Sequence, residues 1–254
     1  MLSSLQSEKK RRELNEKLIK YTLILAAAIS ILTTFGILFS ILFEAIEFFQ
    51  LRSFWYFLTG TIWSPGVANS QFGALPIFAG TFVITIIALL VAIPIGLGSA
   101  IYMSEYASPK FRDYLKPILE ILAGIPTVVY GFFAAITVAP LVVKAAAFFG
   151  LEATFNSALA SGIVMGIMII PLISSLSDDV IRAVPDSQRK AAFALGMTHG
   201  ETIKNIVIPS AMPGIISASL LALSRALGET MIVVMAAGLR PNLSWNPLED
   251  MTTV

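Results

Sequence analysis

Arg225 and Glu229 are the ionisable residues that dominate the apolar part of this sequence, in the run Ser224-Arg225-Ala226-Leu227-Gly228-Glu229-Thr230. Residues four positions apart share one face of a helix, so the two charges can partly neutralise each other. A guanidinium suits a tetrahedral oxyanion, because its planar fork can donate two hydrogen bonds at once. The pair therefore predicts either a charged site on an anion path or an internal salt bridge that holds helices together.

Arg225 lies about fifteen residues beyond Pro209, near the middle of the apolar stretch 211–237. A charge at the centre of a bilayer costs at least ~2.5 kcal/mol on insertion scales. We therefore expect both side chains of the pair to face the interior of a helix bundle or a water-filled cavity.

A second polar element, residues 185–209, lies between two long apolar stretches. Pro185 suits a first helical turn, and Asp186 complements the positive N-terminal end of the helix dipole. Good helix formers continue to Leu195, and Gly196 can adopt the left-handed conformation that stops a helix. The pattern predicts a short helix that ends at Gly196.

A second short helix should begin at Thr198, because Thr198 and Glu201 have the spacing of a capping box. We expect this helix to end at Pro209. Two short helices joined by a glycine form a rigid unit, which we call the knuckle (residues 185–209). Its role is predicted to be docking on a partner, and an ordinary amphipathic helix at the membrane surface is the alternative.

The composition indicates what kind of protein carries the knuckle. Of 254 residues, 56% are hydrophobic and 13% are charged, which excludes a soluble domain and indicates a polytopic membrane protein. The chain contains no cysteine, so a disulfide scaffold, a cysteine-based zinc site and a cysteine nucleophile are excluded. No Gly-x-x-x-x-Gly-Lys-Ser/Thr motif occurs, and we therefore expect no nucleotide site of that kind in this chain.

Five stretches are long enough to cross a bilayer, which takes about 20 mostly apolar residues. They are residues 21–43, 74–103, 115–140, 156–176 and 211–237. Kinks are expected in three of them, at Pro94, at residues 124–126 and at Pro171. The pattern predicts an all-α membrane helix bundle, with a basic arm over residues 1–20 and a membrane domain over residues 21–254.

The basic residues predict which side of the membrane each loop faces. Of the 17 Lys and Arg residues, 13 lie in the arm, between the second and third stretches, or in the loop that holds the knuckle. These three regions fall on one side if every stretch spans, and basic loops face the cytoplasm. The N terminus and the knuckle are therefore predicted to be cytoplasmic.

The knuckle resembles the signature cytoplasmic loop of ABC-importer permeases. That loop reads Glu-Ala-Ala, three residues, Gly, nine residues, Ile-x-Leu-Pro. Five residues of this chain fall on its spacing: Ala191, Ala192, Gly196, Ile206 and Pro209. Lys190 stands where the family usually has Glu, and Ile208 where it usually has Leu. The resemblance implies that the knuckle couples to an ATPase, with Pro185, Arg189 and Lys190 in the same region.

The run 225–231, Arg-Ala-Leu-Gly-Glu-Thr-Met, resembles the corresponding helix of phosphate-specific ABC permeases of the PstC type. The stretches 120–131 and 182–185 agree with this, and the resemblance covers roughly residues 73–238. Permeases of this kind typically have six helices. We therefore expect the last family helix to be missing from this chain.

The same resemblance implies that the phosphate path involves Arg225, Glu229 and Thr230. Glu120 is a weaker candidate, because it lies near the cytoplasmic end of its predicted helix, where capping or bracing the bundle is the alternative role.

The resemblance implies an ATP-driven importer of inorganic phosphate in the plasma membrane of a prokaryote. The expected partners are a related second permease, two cytoplasmic ATPase subunits, an extracytoplasmic phosphate-binding protein and membrane lipid, without nucleic acid. ATP and Mg²⁺ are expected on the ATPases, and no cofactor is expected in this chain.

Three alternatives remain open on the sequence. Sulfate and molybdate permeases also carry an Arg-x-Leu-Gly-Glu core, although they usually continue with Phe-Gly, where this chain has Thr230-Met231. A membrane enzyme could use Glu120, Ser224 and Arg225, but its nucleophile would need a base beside it. The one histidine, His199, lies in the knuckle, where we expect a solvated surface residue. A passive channel would have no use for a docking knuckle.

Overall fold

The computed structural model describes residues 2–66 and 70–253, with side chains from residue 15 onward. The side chains of the basic run 9–12 lie outside the described residues. The chain divides into two compact units, Met1–Phe57 and Leu58–Val254.

The first unit is built on one long helix. α1 covers Leu2–Leu51, and a short helix, α2, follows at Phe54–Thr59. The part Asn15–Leu51 is long and apolar enough to cross a membrane, in agreement with the first predicted stretch. Phe48 and Phe49 contact Phe54 and Phe57 through edge-on rings whose centroids lie 5.3 to 5.7 Å apart. These contacts pack the end of α1 on the start of α2.

The second unit is a helix bundle with a small hairpin. Strands β1 (Trp63–Ser64) and β2 (Gln71–Phe72) pair antiparallel. The helices are α3 (Leu75–Ile101), α4 (Pro109–Ala123), α5 (Thr127–Phe133), α6 (Ala139–Phe148), α7 (Ala158–Arg182), α8 (Asp186–Ala194), α9 (His199–Thr202), α10 (Ile208–Leu227) and α11 (Met231–Ala236). Three π-helical turns, Tyr102–Tyr106, Ala134–Val138 and Ile203–Val207, extend α3, join α5 to α6 and join α9 to α10.

Two of the π turns precede a proline by one residue. Ala134–Val138 is followed by Pro140, and Ile203–Val207 is followed by Pro209. A proline lacks an N–H donor and its ring collides with the carbonyl four residues earlier, and a π turn with its wider hydrogen bonds relieves both conflicts. The helix therefore continues through Pro209, and the prediction that Pro209 ends a short helix is wrong.

The centre of the bundle is the packing of α3 against α7, which is the most extensive contact between two helices. A Cβ atom at Gly162 of α7 would lie 2.7 Å from the Ile87 side chain, and one at Gly96 of α3 would lie 2.9 Å from that of Ile173. Small residues at these positions let the two backbones approach closely, as in other membrane helix pairs.

Five helices of the described residues are long and apolar enough to cross a membrane, as predicted, but two of the predicted spans have wrong boundaries. The third span is Thr127–Phe148 rather than 115–140, because residues 124–126 separate it from the amphipathic helix α4. The fifth is His199–Leu227 rather than 211–237. Pro94 lies inside the continuous helix α3, and Pro171 lies inside the continuous helix α7.

Candidate coupling and transport sites

From Pro185 to Glu201 the knuckle has the local structure that its sequence predicts. Pro185 is in extended backbone directly before α8, whose first turn contains Asp186. Gly196 has a φ of 83°, in the left-handed region that favours glycine. Thr198 and Glu201 form the predicted capping box, in which the Thr198 N–H donates to Glu201 Oε2 at 2.8 Å. These features fix the angle between α8 and the helix that begins at His199.

Four of the predicted coupling residues meet in one groove between α8 and the start of α10. The groove has a volume of about 540 Å³ and is lined by Gln188, Ala191, Ala192, Leu195, Met197, Asn205, Ile206, Pro209 and Ser210. The Ser210 hydroxyl donates to Gln188 Oε1 at 3.1 Å, which ties the two helices together. Leu195, at the rim, is 80% exposed. The arrangement can receive an apolar side chain of another protein.

Arg189 and Lys190 lie outside this groove and differ from each other. The Lys190 side chain is exposed. The Arg189 side chain is only 16% exposed, and its guanidinium lies 2.8 Å from Glu105 Oε1 at the end of α3. Arg189 therefore contacts the bundle itself, whereas Lys190 is available to a partner.

Two further ion pairs join α4 to the same end of α7. Arg112 lies 2.7 Å from Asp178, whose side chain is 1% exposed, and Lys116 lies 2.7 Å from Asp179. The hydrogen bond to Asp178 raises the pKa of Arg112 above its ordinary value, although partial burial opposes this. Arg112 and Lys116 thus tie α4 to the bundle. Residues 115–123 do not belong to a span, because α4 has 15 residues and a span takes about 20.

His199 has contacts that the sequence did not predict. Its Nε2 atom lies 3.2 Å from the backbone oxygen of Glu105, and its ring contacts Tyr106 edge-on and Phe193 in a stacked arrangement. The His199 side chain is exposed, as predicted for a surface residue, and the end of α3 also reaches the knuckle at this position. One feature of the sequence indicated that the end of α3 lies near the knuckle: Glu105 is on the predicted cytoplasmic side, opposite a basic loop.

Arg225 and Glu229 do not share a helix face, so the predicted pair on one helix is wrong. α10 ends at Leu227, with Gly228 as its C-cap. Glu229 is buried, and its Oε1 accepts hydrogen bonds from the N–H groups of Met231 at 3.2 Å and Ile232 at 3.4 Å, in the first turn of α11. No ion pair within 4.0 Å joins the two residues in the described part of the chain.

The other residues of the predicted path are separate from one another. Arg225 is exposed in the last turn of α10, where a cation is favourable near the negative end of the helix dipole. Thr230 is exposed at the N-cap position of α11, without a capping hydrogen bond from its side chain. Glu120 is exposed on α4, outside the five spans. Arg225 is the member of the set that presents a charge from within a span. It lies in the last turn of that span, so the prediction that it lies near the middle is wrong.

These features define a polytopic helical membrane protein with two short helices, α8 and α9, at one end of its bundle. Residues 92–244 match the family model described as binding-protein-dependent transport system inner membrane component. The chain belongs to this family.

Two relatives and one solved structure are similar to this chain. It is 36% identical to the probable ABC transporter permease protein YqgH of Bacillus subtilis, over 78% of this chain and 63% of that protein. It is 34% identical to the phosphate transport system permease protein PstC of Mesorhizobium japonicum, over 90% of this chain and 74% of that protein. A chain of the inward-facing MetNI methionine ABC transporter matches with 19% identity and a TM-score of 0.47, over 65% of this chain and 73% of that chain. This chain thus spans slightly less than two thirds of the length of YqgH.

Proposed function

We propose that this chain is the membrane-spanning permease subunit of an ATP-driven importer of inorganic phosphate. The observation that carries the proposal is the similarity to a relative named as a phosphate transport system permease over 90% of the chain. We propose no enzymatic activity for the chain itself. Its role is to provide a path whose two ends open alternately.

ATP hydrolysis would take place on partner ATPase subunits, which would also hold ATP and Mg²⁺. The groove between α8 and α10 supports this part of the proposal, because it gathers Ala191, Ala192, Ile206 and Pro209 beside the exposed Leu195. An apolar groove with an exposed apolar rim matches the core of a protein interface. Gly196 would hold α8 at the angle that docking requires.

Arg225 would be the phosphate-binding residue of the path. It is exposed in the last turn of the span His199–Leu227, and no ion pair within 4.0 Å joins it to Glu229 in the described residues, so its charge requires a polar surrounding. An anion path, shared with a related second permease, supplies that surrounding. The alternative of an internal Arg225–Glu229 brace is disfavoured, because Glu229 caps α11.

The orientation is proposed from the charges. The ion pairs bring α4, the end of α7 and the knuckle to one end of the bundle, and these regions carry most of the basic residues outside the N-terminal arm. Basic loops face the cytoplasm, so the knuckle and the N terminus would lie inside the cell. An extracytoplasmic phosphate-binding protein would deliver substrate to the opposite end, in the inner membrane of a prokaryote.

The test is uptake of radiolabelled phosphate into vesicles that contain the complete complex, with and without ATP. We expect ATP-dependent uptake that excess unlabelled phosphate abolishes and that excess sulfate or molybdate leaves in place. Competition by sulfate or molybdate equal to that by phosphate would contradict the proposed substrate, and uptake that is independent of ATP would contradict the proposed mechanism.

The role of Arg225 is tested in the same vesicles with Arg225→Gln and Glu229→Gln. Glutamine at position 229 keeps an acceptor for the N–H groups of α11, whereas glutamine at 225 removes the cation. We expect uptake to fall at least ~tenfold in Arg225→Gln, equivalent to one lost charged hydrogen bond, and much less in Glu229→Gln. The reverse order, or restored transport in the double variant, would indicate that the two residues act as a pair.

A further inference from the structure

Arg189 connects three helices through one guanidinium. Its Nη2 atom donates to Glu105 Oε1 at 2.8 Å and to the Ile181 carbonyl at 2.9 Å. Its Nη1 atom donates to the Val184 carbonyl and, at 3.4 Å, to Asp186. Glu105 belongs to the π turn that ends α3, and Ile181 belongs to the last turn of α7. A residue of α8 thus holds the ends of both central helices.

Glu105 is the partner that makes this connection specific. Its side chain is 6% exposed, so its carboxylate has little contact with water and depends on the guanidinium for compensation. The backbone oxygen of the same residue contacts His199 Nε2 at 3.2 Å. Both helices of the knuckle, α8 through Arg189 and α9 through His199, are therefore attached to one residue of α3.

A displacement of α8 would reach the centre of the bundle through this attachment. α3 and α7 form the most extensive helix pair, and the glycines between them leave little room for one helix to move without the other. A charged hydrogen bond of 2.8 Å between nearly buried groups is a stronger mechanical link than the exposed pair of Lys116 and Asp179.

We propose that Arg189 and Glu105 are a positioning pair that transmits movement of the knuckle to the α3–α7 pair. In this role Arg189 faces inward, and the groove and Lys190 face the ATPase. The inference rests on the proposed function, because it assigns the link between ATP-driven movement and the transport path.

The test uses the complete complex in vesicles and measures phosphate uptake and ATP hydrolysis on one preparation. Glu105→Ala leaves every bond from Arg189 to the backbone carbonyls intact and removes only the bond from Arg189 to α3. We expect the number of ATP molecules hydrolysed per phosphate transported to rise at least ~fivefold, the lower end of typical coupling between sites. A loss of folded complex would lower both activities together and leave this ratio unchanged.

Three further variants make the result specific. Glu105→Gln keeps a hydrogen bond without its charge and should raise the ratio less than Glu105→Ala. Arg189→Lys keeps the charge but loses the planar fork of donors, so it should raise the ratio as well. Lys116→Ala, which removes a nearby but exposed ion pair, should leave the ratio at the wild-type value.

An unchanged ratio in Glu105→Ala would overturn the inference, and so would an equal rise in Lys116→Ala. If the alanine variant does not assemble, Glu105→Gln decides, and an unchanged ratio in that variant would overturn the inference. A wild-type complex that fails to transport phosphate would instead contradict the proposed function. Failure of the proposed function and failure of this inference therefore give different results.

Discussion

The two ends of the α3–α7 pair are held by different kinds of interaction. At the knuckle end, side-chain charges join the helices, through Arg112 with Asp178, Lys116 with Asp179 and Arg189 with Glu105. At the opposite end, backbone hydrogen bonds join residues 236–251 to the segment that leads into α7.

The backbone bonds at the opposite end satisfy the free N–H groups at the start of α7. The Ala158 N–H donates to the Glu249 carbonyl at 3.1 Å, and the Leu159 N–H donates to the Pro247 carbonyl at 2.8 Å. Met251, fully buried in the core, donates its N–H to the Ala237 carbonyl at 3.0 Å. Such contacts depend on the path of the chain rather than on side-chain charge. The comparison indicates that the knuckle end can be altered by removing charges, and the opposite end by displacing backbone.

The largest effect on stability is expected for Arg112→Ala at the knuckle end. The change strands the Asp178 carboxylate, which is 1% exposed, and breaking a buried ion pair in this way costs roughly 3 to 5 kcal/mol. The free energy of unfolding in mixed micelles would measure it. Lys116→Ala, which removes an exposed pair, should cost no more than about 1 kcal/mol, and equal losses in the two variants would contradict the distinction.

A smaller loss is expected for Gly80→Ala at the opposite end. A Cβ atom at this position would overlap the carbonyl oxygen of Thr252, so residues 246–252 would have to shift. Overpacking of this kind costs about 1 to 3 kcal/mol. Gly98→Ala is the matched control on the same helix, because its Cβ would meet no atom within 4 Å, and it should leave stability unchanged or raised. A stable Gly80→Ala variant would show that this backbone packing does not hold the end of the bundle.

A loss of about 1 kcal/mol is expected for Gly196→Ala in the knuckle, because a side chain disfavours the left-handed conformation. Gly200→Ala, in helix α9 with open space around it, is the control and should be neutral or stabilising. Thermal unfolding of the two variants side by side distinguishes backbone strain from a general effect of added bulk.

The smallest effect is expected for the exposed carboxylate of Glu249. Hydrogen bonds from Ser244, Asn246 and Asn242 lower its pKa below the ordinary value. A carboxylate whose folded pKa is depressed contributes stability above its unfolded pKa of about 4.3, and that contribution is lost as the pH falls through the folded pKa. The unfolding midpoint of the wild type should therefore exceed that of Glu249→Gln slightly at pH 6, and the difference should vanish at strongly acidic pH. A difference that grows on acidification would contradict this sign.

Local features of the knuckle could be predicted from the sequence, because each depends on residues a few positions apart. Gly196 and the capping box of Thr198 with Glu201 are examples. The link between Arg189 and Glu105 joins residues 84 positions apart, and no short-range pattern reports it. The end of α10 at Leu227 was missed because hydropathy continues to residue 237, while Gly228 and the capping carboxylate of Glu229 end the helix locally.

The break before α5 was missed for a related reason. The sequence predicts a kink at residues 124–126, whereas the structure ends the amphipathic helix α4 at Ala123 and begins the span at Thr127. Hydropathy predicts five spans, the number found among the described residues, but it misplaces two of them because it does not register where a helix ends.

The central claim is that an ATPase drives this bundle through the groove of the knuckle, and Leu195→Glu tests it most directly. The wild-type chain should retain its ATPase on purification and take up phosphate in vesicles when ATP is present. Leu195, 80% exposed at the rim of the groove, makes little contribution to the core, so the glutamate variant should unfold at the wild-type temperature. We expect that variant to lose both the bound ATPase and phosphate uptake. Retention of the ATPase together with uptake at the wild-type rate would contradict the account.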